Sequence, residues 1–366
     1  TFPVIRWVNG SGGNWNEATN WDPAQVPGAG DKALIDLPGS FTVTVNSSVQ
    51  AAALEMRGSA RLDLVAGGGT RLNIHQIGRI DPGCQLAMHS SAALVAGGAG
   101  QVIVECPVDL DGGRFDGAGI ITLRGTTTIN RSSTSSSVTL RNEGTVNWAS
   151  TGSLSIQNGT TVINTPGAEW IVPGDRALFT NGDGGNTFVN EGVLRKTSGT
   201  GGLDFRHRGT FESTGTIDIQ SGKISFSGPA ANISGGSLSV PAGTSLEFFG
   251  SASHFIENTS VTASGGRLLA QAGRGFNVRI SDISEWDGPV EVRGSMSFSE
   301  PITFNERVVT SGLGSGAFLS LGSSATFKAG GDLFAFGASG EVIIEGATTW
   351  NGSAGASDLV NRGTLT

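Results

Sequence analysis

Short runs in which apolar and polar residues alternate recur along most of the chain, and a glycine precedes many of them. Examples are Gly152–Ile156, Gly215–Ile219, Gly222–Phe226 and Gly236–Val240. A period of two residues predicts β-strands that bury one face. The glycine in front permits the positive φ angle of a tight corner. Since no long window has the 3.6-residue period of a helix, we predict an all-β protein.

A second phrase has the form apolar-x-Asn-x-Gly-Thr-apolar. It occurs at Leu140–Val146, Phe188–Leu194 and Leu359–Leu365, and His207 replaces the Asn at Phe205–Phe211. We expect such a phrase at one corner of a coil, where stacked Asn amides form a ladder. β-Sandwiches are the alternative fold, although their strands are longer and are joined by hairpins. The pattern therefore predicts a right-handed parallel β-helix (β-solenoid) of about 15 coils.

The composition of the N-terminal segment differs from that of the repeats, since three tryptophans lie among turn-forming residues. We expect residues 1–45 to form a Trp-rich capping segment and residues 46–366 to form the parallel β-helix. Trp7, Trp15 and Trp21 are predicted to pack as a lid, with indole N–H groups paired to Asn14 or Asn20. A sugar-stacking platform is the alternative for these rings.

This N-terminal segment also resembles a known family. Gly-Asn-Trp at 13–15, Asn-Trp at 20–21, Val-Pro-Gly at 26–28 and Asp-x-Ala-x-Ile at 31–35 follow one another. The order is similar to that near the mature N-terminus of secreted bacterial β-helical proteins, and the Asn-x-Gly-Thr phrases resemble those of autotransporter passengers and large adhesins. The resemblance implies an extracellular or cell-surface location and an adhesive, matrix or scaffold role.

Composition and charge narrow the choice of partners. The chain has 58 Gly among 366 residues, and 31 acidic residues outnumber 23 basic ones. The net charge of -8 disfavours nucleic acid as a partner. No stretch approaches the roughly 20 apolar residues of a transmembrane helix. The start at Thr1 rather than Met leads us to expect a removed secretion signal.

Two cysteines stand 22 residues apart, close to one coil of the expected β-helix. Residues one coil apart stack within the Cα separation that a disulfide requires. We therefore predict a disulfide between Cys84 and Cys106 in a secreted chain. The alternative is two buried free thiols in adjacent coils.

Two loops carry oxygen ligands with glycines between them. The first offers Asn181, Asp183 and Asn186 as a weak candidate for calcium, and the second spans Asp109–Asp116. Neither loop has a bidentate Glu at its far end. A hydrophilic glycine turn is the alternative at both places, and we expect no other cofactor.

One segment gathers acidic residues around an aromatic ring. Asp282, Glu285, Trp286 and Asp287 interrupt the repeat and form a weak candidate for glycan contact. A second polar cluster contains Arg206, His207, Arg208 and Glu212, whereas His75, His89 and His254 are too scattered to predict a metal site. An ordinary polar loop is the alternative for both clusters.

Two classes of function follow from these observations. The first is a non-catalytic extracellular scaffold or adhesin of a bacterial surface or matrix, with surface glycans and other copies of itself as partners. The second is a carbohydrate-active β-helix enzyme, such as a polysaccharide lyase or hydrolase, or a glycan-binding module. Because no nucleophile elbow or phosphate loop is present, the enzyme reading rests on fold analogy and we expect no enzyme.

The C-terminal sequence supports one expectation about assembly. The chain stops within the repeat phrase at Asn361–Thr366, with no charged or helical segment after it. An open solenoid end exposes unpaired strand edges, which are templates for pairing. We therefore expect head-to-tail assembly into fibres, with a truncated or otherwise capped monomer as the alternative.

Overall fold

The structure is a computed structural model. It describes residues 2–67, 69–181, 185–228, 230–250, 252–272, 277–283, 285–300 and 302–311, and then eight strands between 318 and 365. The chain divides into two compact units. The first comprises Thr1–Ile171 and Leu178–Phe188, and the second comprises Val172–Ala177 and Val189–Thr366.

Strands account for nearly all of the described secondary structure, because the alternating runs are short and are interrupted by corners. Up to residue 190 the elements are β1 (Val4–Trp7), β2 (Gly13–Asn14), a 3-10 turn (Ala18–Asn20), β3 (Trp21–Asp22), β4 (Lys32–Ile35), β5 (Thr42–Val45), β6 (Ser48–Met56), β7 (Arg61–Leu64), β8 (Arg71–Ile80), β9 (Gln85–His89), β10 (Ala93–Ala96), β11 (Gln101–Val104), β12 (Val108–Asp111), β13 (Arg114–Asp116), β14 (Ile120–Leu123), β15 (Thr126–Ile129), β16 (Ser133–Ser136), β17 (Thr139–Asn142), β18 (Thr145–Asn147), β19 (Leu154–Gln157), β20 (Thr161–Asn164), β21 (Glu169–Pro173), β22 (Arg176–Asn181) and β23 (Thr187–Asn190).

The later strands are shorter on average. They are β24 (Val193–Ser198), β25 (Gly202–His207), β26 (Thr210–Ser213), β27 (Thr216–Ile219), β28 (Lys223–Phe226), β29 (Ala230–Ser234), β30 (Ser237–Ser239), β31 (Ser245–Gly250), β32 (His254–Glu257), β33 (Ser260–Thr262), β34 (Arg267–Ala272), β35 (Val278–Ile280), β36 (Glu285–Trp286), β37 (Val290–Val292), β38 (Met296–Phe298), β39 (Ile302–Phe304), β40 (Val308–Ser311), β41 (Phe318–Leu321), β42 (Ala325–Phe327), β43 (Leu333–Phe336), β44 (Glu341–Ile344), β45 (Ala347–Trp350), β46 (Ala354–Ala356), β47 (Leu359–Asn361) and β48 (Thr364–Leu365).

From β9 onward in the first unit, three consecutive strands make one turn, and each strand pairs in parallel with its equivalent one turn later. On the first face β10 pairs with β13 and β13 with β16. On the second face β11 pairs with β14 and β14 with β17. On the third face β9 pairs with β12 and β12 with β15. The earlier turns contain fewer strands, since β4 pairs with β6, β5 with β7, β6 with β8 and β7 with β9. The N-terminal β1 pairs antiparallel with β3 as well as parallel with β4.

The second unit is built in the same way. On its first face β25, β28, β31 and β34 pair successively in parallel, and on its second face β26, β29 and β32 do so. The prediction of an all-β parallel solenoid is confirmed. The structure has about 12 turns, so the expected 15 is approximate. Among the described residues none forms a helix long and apolar enough to cross a membrane.

The cores consist of inward columns of apolar side chains, one from each turn. In the second unit Phe205, Phe226 and Phe248 occupy one column, with centroid separations of 5.1 and 5.6 Å and nearly parallel rings. Such parallel stacking follows from the in-register pairing, because equivalent side chains of successive turns lie one strand spacing apart.

The Asn-x-Gly phrase forms a corner, as its sequence predicts. The buried Asn142 donates from Nδ2 to Oδ1 of Asn164 at 2.8 Å, so an amide ladder joins neighbouring turns. Its Oδ1 accepts the backbone N–H of Gly144 at 3.2 Å. A Cβ on Gly144 would lie 2.4 Å from the carbonyl oxygens of Arg124 and Gly125. At this corner glycine is therefore required by the close approach of the neighbouring turn.

Candidate functional site

The three N-terminal tryptophans form a buried cluster. Trp7 and Trp21 meet edge to face with centroids 5.0 Å apart, and Trp15 and Trp21 do so at 4.9 Å. Trp7 also stacks on Phe41 at 6.4 Å. Each of the three indoles is at most 1% exposed. No ring face is left for a sugar, so the sugar-stacking alternative for these residues is corrected.

Two of the three indole N–H groups use main-chain acceptors instead of the expected Asn side chains, and the buried Nε1 of Trp15 has no hydrogen-bond partner among the described residues. Trp7 Nε1 donates to the carbonyl of Asn9 at 2.7 Å, and Trp21 Nε1 donates to the carbonyl of Trp15 at 2.8 Å. Asn20 serves the local backbone by donating to the carbonyl of Asn14 at 2.8 Å. The boundary at residue 45 stays a prediction. β4 and β5 precede it, and they pair in parallel with β6 and β7.

Cys84 and Cys106 occupy equivalent positions in successive turns. Cys84 lies two residues before Leu86, Cys106 lies two before Val108, and Leu86 pairs with Val108. Both are free thiols in the structure and at most 1% exposed, so the expected bridge is not formed there. Burial raises the pKa of Cys84 to about 11 and that of Cys106 to about 12. Thiols of this kind are poor nucleophiles at neutral pH.

The structure describes the second candidate calcium loop and only part of the first. Asp183 and the side chain of Asn181 lie outside the described residues. Asn186 is fully buried, and its Oδ1 accepts the backbone N–H groups of Gly159 and Thr160 at 3.1 Å each. In the second loop Asp116 pairs with Arg71 and Arg114. Within the described part of the chain, no group of three or more His, Cys, Asp or Glu is arranged to hold a metal ion.

The acidic segment near residue 285 is arranged differently from the expectation. Trp286 is fully buried in β36, and its Nε1 donates to the carbonyl of Gly266 at 3.2 Å. Its expected contact with a glycan is therefore corrected, because the ring belongs to the core. Asp282, Glu285 and Asp287 are exposed, and Glu285 accepts a hydrogen bond from Asn305.

The basic cluster around residue 207 is tied to the strand that carries it. Arg206 donates to Asp204 at 2.7 Å within β25, and Glu212 is on the neighbouring β26. The side chain of His207 lies outside the described residues. The cluster shows an ion pair of the kind found along the other strands.

A ladder of alternating charges runs along the second face of the first unit. Arg79 pairs with Glu105 at 2.7 Å, Glu105 with Arg124 at 3.0 Å, and Arg124 with Glu143 at 2.9 Å. These four residues belong to four successive turns. The hydrogen bond from Arg124 lowers the pKa of Glu143, against the opposing effect of burial. Each charge is thereby compensated by the turn before or after it.

The second unit carries a comparable ladder on its first face. The nearly buried Glu247 accepts hydrogen bonds from Lys223 at 2.7 Å, from Arg267 at 2.5 Å and from Ser245 at 2.9 Å. Arg267 continues to Glu291 at 3.1 Å. Burial alone would raise the pKa of Glu247, but its donors outweigh burial and hold it below its ordinary value. The carboxylate is therefore ionised and structural.

His254 is a core residue of the second unit. It is fully buried, its Nδ1 accepts the backbone N–H of Ala231 at 3.2 Å, and its ring lies 4.9 Å from that of Phe248. Burial lowers the pKa of His254 to about 4, although the carbonyl of Phe249 acts in the opposite direction. The imidazole is therefore neutral at physiological pH.

Two adjoining depressions lie on the surface of the first unit, and we call them the lateral groove. The first, about 310 Å³, crosses the third face and is lined by the apolar Leu86, Pro107 and Val108 together with the polar or charged Arg61, Gln85, Asp109, Thr126, Thr128 and Asn130. The second, about 490 Å³, follows the corners after that face and is lined by Ser90, Ser91, Asn130, Arg131, Ser132 and Thr151. Asn130 belongs to both depressions.

Charges in and beside the lateral groove are paired with one another. Arg131 pairs with Asp111 at 2.7 Å, and Arg61 lies 3.6 Å from Asp63. His89 bridges the two acids, with Nε2 3.0 Å from Asp63 and Nδ1 3.5 Å from Asp111. The guanidinium groups of Arg61 and Arg131 therefore lie among three carboxylates. These belong to Asp63, Asp109 and Asp111. The groove has hydrogen-bonding groups but no excess of positive charge.

A small cavity lies in the described interior of the first unit. This cavity of about 10 Å³ between Leu110, Phe115 and Trp170 has an almost wholly apolar lining. That volume is about one water probe, and apolar cavities of this size stay dry.

Apart from Asp109 and Gly112, which belong to the second candidate calcium loop, the residues of the lateral groove are not predicted by the sequence motifs. Ser91, Asn130, Arg131 and Thr151 are separated by roughly one or two coil lengths of about 20 residues. If the sequence is divided into successive coils of that length, the polar corners that contain these residues fall in one column. The irregular spacing of the coils hides this column from a search for local motifs.

No model of a protein family matches this chain, and no curated protein matches it at a significant level.

Proposed function

We propose that the protein is a non-catalytic extracellular scaffold of adhesive character, which belongs to a bacterial cell surface or matrix. The observation that carries this proposal is the pairing of charged side chains between successive turns. The ladder from Arg79 to Glu143 and the network around Glu247 engage their charged groups in ion pairs. Groups held in this way stabilise the stack of turns.

The residues whose pKa values are shifted support the same proposal. Catalytic sites bring perturbed acids and bases together in a cleft. Here His254 and the two cysteines are buried in the cores, and Glu247 is engaged by two cations and a hydroxyl. Each perturbation has a structural cause, so these residues are assigned to stability.

The extracellular location rests on the N-terminal resemblance. Gly-Asn-Trp, Asn-Trp and Val-Pro-Gly follow one another as they do in secreted bacterial β-helical proteins. In this chain the same segment builds the packed cluster of Trp7, Trp15 and Trp21. The correspondence supports a surface or matrix setting.

Association of copies end to end is a further part of the proposal. Phe2, Val4 and Val8 are apolar and 37%, 48% and 44% exposed, and all three lie in or beside β1 at the start of the first unit. Clustered apolar exposure marks contact surfaces more often than isolated exposure does. The side chains of the C-terminal phrase that suggested assembly lie outside the described residues.

Two measurements test the scaffold. The purified chain is incubated with pectin, alginate, hyaluronan and xylan, and the release of reducing or unsaturated ends is followed. We expect none above that of a heat-denatured sample. In parallel, intact cells of the source bacterium are labelled with an antibody and shaved with protease. Catalytic release of ends, or labelling only after lysis, would overturn the proposal.

A further inference from the structure

We propose that the lateral groove of the first unit binds a neutral, hydroxyl-rich glycan chain, which lies along the stacked corners. The proposal rests on the adhesive part of the proposed function and gives that adhesion a location. It concerns residues far along the sequence from the acidic segment that first suggested glycan contact.

The shape of the groove favours a chain over a small molecule. Its second depression is lined by the corners of four successive turns, at residues 90–91, 112, 130–132 and 150–152. In-register turns are separated by about 4.8 Å. Polar groups therefore recur along the groove at a constant spacing, which suits a polymer with repeating hydroxyl groups.

The lining chemistry favours a sugar over a protein. The second depression presents the hydroxyls of Ser90, Ser91, Ser132 and Thr151 together with the amide of Asn130. Protein interfaces are anchored by aromatic and apolar side chains in desolvated pockets, and the lining of this depression has none. Sugar hydroxyls are both donors and acceptors, as are the groups they would meet.

The charge balance favours a neutral ligand. Arg61 and Arg131 are already opposed by Asp63 and Asp111, and Asp109 accepts from Nδ2 of Asn130 at 2.5 Å. A polyanion would have to displace these carboxylates from the guanidinium groups. A neutral glycan does not have to displace these carboxylates. Its hydroxyls can form hydrogen bonds with the ion-paired groups while the ion pairs stay intact.

The backbone at Ser91 makes this residue a suitable position for a test of the groove. Ser91 has φ of 66°, in the left-handed region that is costly for residues other than glycine. Serine is retained there, and its exposed side chain lines the second depression. Strained non-glycine residues concentrate at functional sites. The same backbone region is occupied by Ser137, Asn158, Asn258 and Asp282 outside the groove, so a glycine substitution at Ser137 gives a matched control.

The test uses matched pairs of variants in the full chain. Ser91→Gly removes the hydroxyl and relieves the strain, and its control is Ser137→Gly, at φ of 60° and outside the groove. Asn130→Ala removes the shared amide, and its control is Asn232→Ala on the exposed side of β29 in the other unit. Both glycine variants should fold at least as well as the parent chain.

Binding is measured by calorimetry and on a glycan array. The probes are dextran, galactomannan, xylan and soluble cello-oligosaccharides, with hyaluronan and heparin as anionic comparators. We expect a neutral probe to bind with little dependence on salt. Loss of one hydrogen bond should weaken binding about fivefold in Ser91→Gly and in Asn130→Ala. Both controls should bind like the parent chain.

The contrary outcomes are distinct. Binding that groove variants leave unchanged would overturn this inference while the scaffold proposal stands. Tighter, salt-sensitive binding of hyaluronan or heparin would overturn the neutral ligand, and no binding by any probe would overturn the site. Cleavage of a probe would instead overturn the proposed function.

Discussion

At the scale of single residues, the protein buries polar side chains and gives most of them a partner in the backbone or in the next turn. Asn142 and Asn186 satisfy main-chain groups of their corners, and His254 accepts a backbone N–H of the neighbouring strand. Burying such a group without a partner would cost about 1–3 kcal/mol. Their protonation and hydrogen bonding therefore belong to the energetics of the fold.

His254 should make the second unit sensitive to mild acid. Its pKa is about 4 when folded and about 6.5 in the unfolded chain, so only the unfolded state binds a proton between these values. The free energy of unfolding should fall by about 3 kcal/mol as pH drops from 6.5 to 4. Denaturant unfolding across this range measures the fall.

The matched variant for this prediction is His254→Asn, which keeps an acceptor for the N–H of Ala231 and cannot titrate. Its stability should decline less between pH 6.5 and 4 than that of the parent chain. Equal declines in the two proteins would contradict the assignment of this pH dependence to His254.

The two thiols should resist modification until the chain unfolds. With pKa values of about 11 and 12, Cys84 and Cys106 are almost entirely protonated at pH 8 and are shielded by burial. We expect iodoacetamide to leave the native protein unlabelled and to label both sites after denaturation without reductant. Mass spectrometry counts the labels. Labelling that requires a reductant would instead establish the disulfide that the sequence favours.

At the scale of elements, stability comes from equivalent positions that stack in register. The Phe column of the second unit and the ladder from Arg79 to Glu143 arise from the same rule, since each strand pairs with its equivalent one turn later. Inward positions collect apolar rings, and outward positions collect alternating charges. The contribution of each ladder to the free energy of unfolding depends on how deeply its charged groups are buried.

The two charge ladders should therefore respond differently to the same change. Glu247→Gln leaves Lys223 and Arg267 without their carboxylate in a nearly buried site, and we expect a loss of about 2–4 kcal/mol. Glu143→Gln, at an exposed position, should cost less than about 1 kcal/mol. Chemical unfolding of both variants at neutral pH measures the difference, and equal losses would contradict it.

The sign of the pH effect at Glu247 is a separate check. Its folded pKa lies below the ordinary value of 4.5, so its contribution is complete above that value and is lost as pH falls below it. The difference in stability between the parent chain and Glu247→Gln should shrink in that range. A difference that stays constant would show that the carboxylate has no depressed pKa.

At the scale of the whole molecule, each unit depends on its neighbouring turns, and a solenoid leaves strand edges at its ends. The exposed Phe2, Val4 and Val8 add apolar surface to the first strand. We expect the full chain at micromolar concentration to form end-to-end species in light scattering and electron microscopy.

Val4→Asp should reduce this association, because it places a charge on the exposed side of β1. Ile77→Asp is the matched control, since Ile77 is 54% exposed and lies in β8. We expect Ile77→Asp to associate like the parent chain. Monomers at all concentrations, or equal association of both variants, would rule out this contact.

The sequence by itself determined the class of fold. Alternation with a period of two and the recurring glycine corners predicted parallel stacked strands, and the repeated Asn phrase predicted the amide ladder at Asn142. These features are local, since they follow from the two-residue period of a strand and from the shape of one corner. The number of turns was only approximate because the coils differ in length.

The tertiary structure alone decided which side chains meet. Trp286 turned inward although three acids flank it, since a shift of one residue exchanges the two faces of a strand. The neutral His254 and the lateral groove around Asn130 likewise depend on which corners lie in one column. That register is fixed by packing between turns, because side chains distant in sequence become neighbours only after each coil has closed.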